Sequence, residues 1–340
     1  MKVLVTGGSG FLGRHLVECL RKSGYKDIRI LNRSGCEDLQ KTGVEVYRGD
    51  IANFQQICEA VKGCEAVFHV AAKAGVFGSY ISYYKTNVVG TTNVVKACQK
   101  YQVRYLIYTS SPSVVFNGHP LVNVDEHTAY GNMSKYLSPY AYTKMLAEKF
   151  VLASNGQEGV STLALRPHLI WGPGDNHLIP SIIKAAQKRC LFQVGEGINW
   201  VDISYVKNVA QAHLLALSAL KNEGNRVAGK AYFISQGEPV QLWPWINQLL
   251  RRLNIPEVRI KIPASFAFCL GSFFELFYKI LCLKKQPPMT RFVAKELSQD
   301  HYFDISAAKM DLHYVPQIST EEGLEKLVEW LKKQGISKNI

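Results

Sequence analysis

The chain has 340 residues, 47% of them hydrophobic and 20% charged, which excludes a disordered or low-complexity protein and allows one large core or two unequal ones. Its formal charge is +13, but the Lys and Arg are scattered without a run. That speaks against a nucleic-acid partner and for a diffuse basic field drawing anionic small molecules or an acidic membrane surface. The eight cysteines show no C-x-x-C spacing and the nine histidines no zinc or haem pattern. No metal is therefore expected, the cysteines read as free thiols, and a strand straight after Met1 points to a cytosolic chain.

In chain order, "KVLVTGGSGFLGRHLVECLRKSG" opens with a short apolar run, a glycine-rich turn, and then Leu12, Leu16 and Leu20 at helical spacing. "DIRILNRS", "GVEVYRGDI" and "EAVFHVAA" read as the next strands, and "NVVGTTNVVKACQKYQ" as a helix. "RYLIYTSSPSVVF" reads as a strand running into a loop; "SKYLSPYAYTKMLAEKFV" is one apparent helix, and "STLALRPHLIWG" another strand. Strand and helix alternating in this way predict an α/β fold with a doubly wound parallel sheet of Rossmann type. After Gly172 the pattern breaks into a loop and helix and a hairpin-like piece around "FQVGEGINWVD". The helix "NVAQAHLLALSAL" and strand "GKAYFIS" are expected to return to the sheet. Beyond Glu238 the chain reads as helical and aromatic, with proline breaks at 256, 263 and 287–288. The expected division is a nucleotide-binding domain over 1–172 plus about 200–236, and a smaller, mostly helical substrate domain over 173–199 and 237–330.

One segment, "FAFCLGSFFELFYKILCL" at 266–283, is almost continuously apolar. As a helix it would reach about 27 Å, marginal for a bilayer, and Glu275 and Lys279 interrupt it at i,i+4. The first reading is a substrate-domain helix, since aromatic stripes more often face a core; the second is peripheral membrane contact through 266–283.

"VTGGSGFLG" places Gly7, Gly10 and Gly13 in the first strand-to-helix turn, where they allow a tight turn, close backbone approach to a pyrophosphate, and helix packing on the sheet. Ser9, Phe11 and Leu12 belong to the same candidate cofactor site. An acid at the end of the second strand would select NAD; this chain has Asn32 and Arg33 there, so NADP(H) is favoured, with NAD(H) an alternative. Asp50 and Ile51 after the third strand lie where an adenine edge would rest. Ala71 and Ala72 leave room at the end of the fourth strand, and Pro167 is counted with the same site.

Tyr140 and Lys144 share a helix face four residues apart, with Ser138 as N-cap and Pro139 in the first position. A phenol in that opening turn has a positive helix end and an ammonium to favour its anion. Bringing it from its ordinary pKa near 10 to about 7 requires roughly 4 kcal/mol, for which Lys144, the helix end and an oxidised nicotinamide are the sources considered.

With "TGGSGFLG", "AAK", "TSS" and Tyr140-x-x-x-Lys144 in this order, the chain resembles the extended short-chain dehydrogenase/reductases. Within them it is similar to the 3β-hydroxysteroid dehydrogenase branch, and in particular to the 2-alkyl-3-oxoalkanoate reductases. That likeness is carried by "AAKAGVFGSYISYYKTNVVGT", "YTSSPSV", "LRPHLIWGPGDNHLIP", "GKAYFISQGEPV", "MTRFVAKEL" and "YVPQISTEEGL". The resemblance implies Tyr140 as acid/base, Lys144 as ligand of the nicotinamide ribose, and Ser111 as orienting hydroxyl, with Ser110 the alternative. Asn87 would fix a water or carbonyl behind the lysine. It also implies reversible hydride transfer between NADPH and the 3-oxo group of a long-chain β-keto acid, and a homodimer through a helix pair. Phe77, Tyr80 and Trp171 are candidate pocket residues for a hydrophobic substrate. The readings kept beside it are a hydroxysteroid or sterol dehydrogenase with or without isomerase activity, a nucleotide-sugar epimerase or dehydratase, and a non-catalytic NADP(H)-sensing module.

Overall fold

Seven strands form one parallel sheet in the computed structural model, which describes residues 1–131, 136–283 and 285–336. They are β1 (Val3–Thr6), β2 (Ile28–Asn32), β3 (Glu45–Arg48), β4 (Ala66–His69), β5 (Tyr105–Thr109), β6 (Ser161–Pro167) and β7 (Ala231–Ile234). Their spatial order is β3-β2-β1-β4-β5-β6-β7, so the chain reverses direction across the sheet between β1 and β4. In open parallel sheets, ligands gather beyond the carboxyl ends of the strands at such a reversal. The α/β, doubly wound expectation describes this architecture.

The principal helices are α1 (Phe11–Lys22), α2 (Phe54–Val61), α3 (Gly90–Lys100), α4 (Pro139–Ala153), α5 (Leu178–Gln187), α6 (Val206–Asn222), α7 (Leu242–Arg252), α8 (Ala264–Ile280), α9 (Arg291–Glu296) and α10 (Thr320–Lys333). Successive strand residues point to opposite faces, and this alternation sorts the helices into two layers. Val3 and Val5 join Leu12, Leu16 and Leu20 of α1 and Val209 and Ala216 of α6. Leu4, between them, joins Ile57 of α2, Val94 of α3 and Val151 of α4. Each leucine or valine so buried contributes about 1.5–3 kcal/mol. A separate core is built from Trp171, Ile179, Ile183, Trp243, Trp245 and Leu249.

Two expectations are corrected here. The piece around residues 193–201 is not a hairpin: Gln193–Val194 pairs with Lys261–Ile262, whereas Trp200–Val201 pairs with Val240–Gln241 and His301. Gly195 and Gly197 have positive φ, and the chain leaves that turn toward two different partners. The small sheet so formed continues from His301–Phe303 to Leu121–Val124, tying the C-terminal part to the loop after β5.

The aromatic stripe of α8 also faces a core only in part, through Phe268. Ala267, Gly271 and Glu275 turn inward, while Phe266, Phe273, Leu276, Phe277 and Ile280 are exposed. A Cβ on Gly271 would lie 2.5 Å from the Thr290 carbonyl carbon, so close approach to the chain before α9 fixes the small-residue side as the inner one. Glu275 is held there by Arg291, accepting from its backbone N–H at 2.8 Å and its Nε at 2.9 Å. Among the described residues no helix is long and apolar enough to cross a membrane.

Candidate active site

The turn between β1 and α1 is closed by backbone contacts that leave no room for a side chain at Gly7 or Gly13. Gly7 has φ +72° and donates its N–H to the Leu31 carbonyl at 2.8 Å. A Cβ on Gly13 would sit 2.2 Å from the Gly7 oxygen, whereas one on Gly10 would meet only that oxygen, at 3.1 Å. Gly13 therefore serves packing, and Gly10, exposed at the helix N-terminus without a side-chain cap, leaves the space above the turn open. Ser9 donates its N–H to Asn32 Oδ1 at 3.0 Å, and the buried Asn32 Nδ2 has no protein partner. Arg33 is exposed beside it. Asp38, further along the same connection, is paired with Arg14, which holds its carboxyl well below the usual range. An orphaned donor, a bare helix N-terminus and an exposed guanidinium form a donor set that fits the ribose and phosphates of a nicotinamide dinucleotide.

The other cofactor candidates divide. Ala71 lies against Gly7, close enough that a Cβ there would meet its Cα at 2.9 Å. Ala71 and Ala72 follow β4 rather than end it. Asp50 is occupied in its own turn, accepting from the Ala52 N–H at 2.9 Å, and Ile51 is packed under Gly90. Phe11 meets His15 edge to face, and Leu12 is a core residue. Pro167 ends β6 opposite Ile234.

Tyr140 and Ser111 line one inner chamber of about 220 Å³, with Phe116, Leu121, Phe292 and Phe303 among its apolar walls. Tyr140 stands in the first turn of α4, whose N-cap Ser138 accepts from the Ala141 N–H at 3.2 Å. That helix starts at Pro139, so Tyr136 precedes it, and Ser134 and Lys135 lie outside the described residues. Burial pushes the Tyr140 phenol above its ordinary pKa, while the Ser111 hydroxyl on the same chamber wall pulls the other way. Ser111 in turn accepts from the Ser113 hydroxyl at 3.0 Å. Ser110 is buried and does not line the chamber.

Lys144 is buried behind the chamber, where it donates to the Thr109 carbonyl at 2.5 Å and lies 4.1 Å over the Tyr108 ring. Desolvation lowers its pKa to about 7, against the attraction of Glu148. The lysine thus carries only part of a positive charge near neutrality. The phenol stands above, not near, the value expected from sequence because burial disfavours its anion, and Lys144 is not among the groups that shift it. Asn87 sits in a π-helical stretch, Tyr84–Val89, and holds the Lys73 backbone from both sides: its Oδ1 accepts from the N–H at 2.7 Å and its Nδ2 donates to the carbonyl at 3.2 Å. Its Nδ2 also reaches the Thr143 hydroxyl at 3.1 Å.

A larger outer cleft of about 980 Å³ adjoins the chamber at Ala74 and Val76. Phe77, Tyr80, Tyr142, Tyr278 and Lys279 are on its wall, and Gln286 closes one side by donating to the Phe77 carbonyl at 3.0 Å. Trp171 is a correction: it is fully buried, edge to face with Tyr205 and Trp245, and lines neither space. Its position after β6 places it at the start of the second core, where an indole fills volume.

Three chamber residues were invisible in the sequence: His168, Glu296 and His301. No short motif joins them, because the small sheet brings His301 beside a residue 133 positions earlier.

With this geometry the comparisons with known proteins agree. The model of the 3-beta hydroxysteroid dehydrogenase/isomerase family matches residues 4–264. The chain belongs to that family. Membership in the 3-beta hydroxysteroid dehydrogenase/isomerase family makes it an oxidoreductase of the extended short-chain type, acting on a CH–OH group or the corresponding ketone. A relative from Stenotrophomonas maltophilia (strain K279a), a 2-alkyl-3-oxoalkanoate reductase, is 45% identical over 96% of this chain and 98% of its own. The sterol-4-alpha-carboxylate 3-dehydrogenase, decarboxylating, of Mus musculus is 33% identical over 96% of this chain and 90% of its own. Among solved structures, the UDP-glucose 4-epimerase of Thermotoga maritima superimposes with a TM-score of 0.75 at 22% identity, covering 98% of this chain and 99% of that one, which is a likeness of fold.

Proposed function

We propose that the protein interconverts a 3-oxo and a 3-hydroxy group on a long hydrophobic acid, a 2-alkyl-3-oxoalkanoate, with NADP(H). The observation that carries this reading is Tyr140 and Ser111 sharing an apolar-walled chamber that opens on a long aromatic cleft. The 45% identity to a protein of that activity supports the substrate class.

NADP(H), when bound, supplies or accepts the hydride, and Gly7, Gly10, Ser9, Asn32 and Arg33 would hold it. In the reducing direction Tyr140 gives its proton to the carbonyl oxygen; in the oxidising direction it takes the proton back. Ser111 donates its one hydroxyl hydrogen to the same oxygen as charge develops there. Lys144, whose pKa burial lowers, is held on the Thr109 carbonyl behind the chamber, from where it would bind the nicotinamide ribose. Asn87 acts through the backbone, fixing the Lys73 segment and Thr143 behind Lys144. The outer cleft takes the alkyl chains.

The test is NADP+ and NAD+ reduction with a long-chain 2-alkyl-3-hydroxy acid, by wild type and Tyr140→Phe. Turnover that prefers NADP+ and falls about 10²–10⁴-fold in the variant is expected. A variant as fast as wild type would remove the phenol from the mechanism, and turnover of a 3β-hydroxysteroid in place of the acid would move the protein to the sterol branch.

A further inference from the structure

The inner chamber contains polar groups that hydride transfer at a carbinol does not use. His168 follows β6 directly, His301 stands on the strand His301–Phe303, and Glu296 closes α9. His168 Nε2 lies 2.6 Å from His301 Nδ1, and His301 Nε2 lies 2.7 Å from the Glu296 carbonyl oxygen. A carbonyl only accepts, so the proton is on His301 Nε2; His301 Nδ1 then accepts from His168 Nε2. This assignment leaves His168 Nδ1 as a lone pair, to which the described residues give no hydrogen bond, on a side chain 8% exposed that lines the chamber.

A metal ion does not suit this arrangement. Two nitrogens on one tetrahedral zinc sit about 3.3 Å apart, and these are 2.6 Å apart, a hydrogen-bond distance. Nor does a purely apolar role, because an imidazole would not be kept at the wall of an apolar chamber with one nitrogen unpaired. Among the described residues no lysine or arginine lines the chamber. Any anionic group entering it has the imidazole pair as its counterpart.

The relatives' names give the chemistry of that group. A 2-alkyl-3-oxoalkanoate and a sterol-4-alpha-carboxylate share one feature: a carboxylate on the carbon next to the one bearing the 3-oxygen. We propose that His168, aligned by His301 and the Glu296 carbonyl, is the seat of the substrate's β-carboxylate, holding it while the neighbouring carbon reacts at Tyr140. This rests on the oxidoreductase reading above and adds a specificity-determining residue to it.

Binding takes one proton from water, onto Nδ1, so that an imidazolium meets the carboxylate and the pair enters as a neutral unit. Burial keeps His168 neutral beforehand, its pKa well below the ordinary histidine value. The titratable groups around it are His301, Glu296, Asp202 beyond His301, and Tyr140. Glu296 and Asp202 have their pKa values raised by burial, the latter to about 6. The Glu296 carboxyl, 3.9 Å from His301 Nε2, also lines the chamber, and burial favours its protonated, uncharged form, so it does not repel the entering carboxylate.

The experiment compares a 2-alkyl-3-hydroxyalkanoate with the secondary alcohol that lacks its carboxylate, for wild type and His168→Gln. Wild type should favour the acid by about 10- to 100-fold in kcat/KM, the worth of a hydrogen bond to a charged group. His168→Gln should raise the acid's KM until that preference is gone. A second measurement uses wild type alone: binding of the acid near pH 8 should take up about one proton per site, read with an indicator dye in weak buffer. Equal use of acid and alcohol by wild type, a preference that survives in His168→Gln, or binding without proton uptake would each overturn the subsite while sparing the oxidoreductase reading. Turnover of neither compound would overturn that reading, and the subsite with it.

Discussion

Replacing Gly13 by alanine puts a methyl group 2.2 Å from the Gly7 oxygen, 2.7 Å from Gly8 Cα and 2.9 Å from the Gly7 carbonyl carbon. All three are backbone atoms, and the worst contact is about 0.8 Å short of the 3.0 Å such a methyl tolerates. The Gly7 turn cannot yield, because its N–H is tied to Leu31 and a Cβ's width beyond it lies Ala71. The strain must therefore move α1, whose Leu12, Leu16, Val17 and Leu20 are packed in the main core. Overpacking of this kind costs about 1–3 kcal/mol, and it displaces the helix end that the phosphates would meet. Gly10→Ala is the matched control. Its φ of −74° suits any residue, and its new methyl meets one atom at 3.1 Å. Urea unfolding and NADP(H) titration followed by fluorescence should separate the two: Gly13→Ala loses stability and at least tenfold in affinity, equal to about 1.4 kcal/mol, whereas Gly10→Ala keeps its stability and loses affinity alone. If Gly13→Ala unfolds and binds like wild type, the turn is not the cofactor's cradle.

Arg33→Asp should lower kcat/KM with NADP(H) and raise it with NAD(H); unchanged values for both would make Arg33 a surface residue only. Lys144 has a folded-state pKa of about 7, below the 10.5 of a free lysine. Between those values the unfolded chain holds a proton that the native chain lacks, so this residue's contribution makes stability rise with pH, by at most about 1.4 kcal/mol per pH unit, and makes it lowest below pH 7. Urea midpoints at pH 7 and 9 should therefore differ by less in Lys144→Met than in wild type, and equal differences would contradict the burial of the charge. The exposed Phe273 and Phe277 of α8, with Lys279 exposed on the same helix, are the residues through which contact with an anionic lipid surface is predicted. Flotation with phosphatidylserine vesicles should recover wild type but not Phe273→Glu/Phe277→Glu; equal flotation of both, or of neither, would refute the contact.

Local chemistry wrote much of this protein into its sequence. The alternating strands and helices, the glycine turn and the Tyr140–Lys144 spacing each depend on residues close in the chain, where backbone geometry alone fixes neighbours. The inward face of α8 was misread because apolarity normally marks the buried side; there the deciding facts are the close approach of Gly271 to Thr290 and the Glu275–Arg291 pair, both contacts with another segment. Trp171 was misread for a related reason, since a position beyond a strand end does not reveal that Tyr205 and Trp245 will enclose it. The partial charge on Lys144 and the raised phenol of Tyr140 follow from desolvation, which exists only once the chain is packed. The same holds for the imidazole pair: His168 and His301 are ordinary residues along the chain, and a parallel pairing of His301–Phe303 with Leu121–Val124 makes them a site.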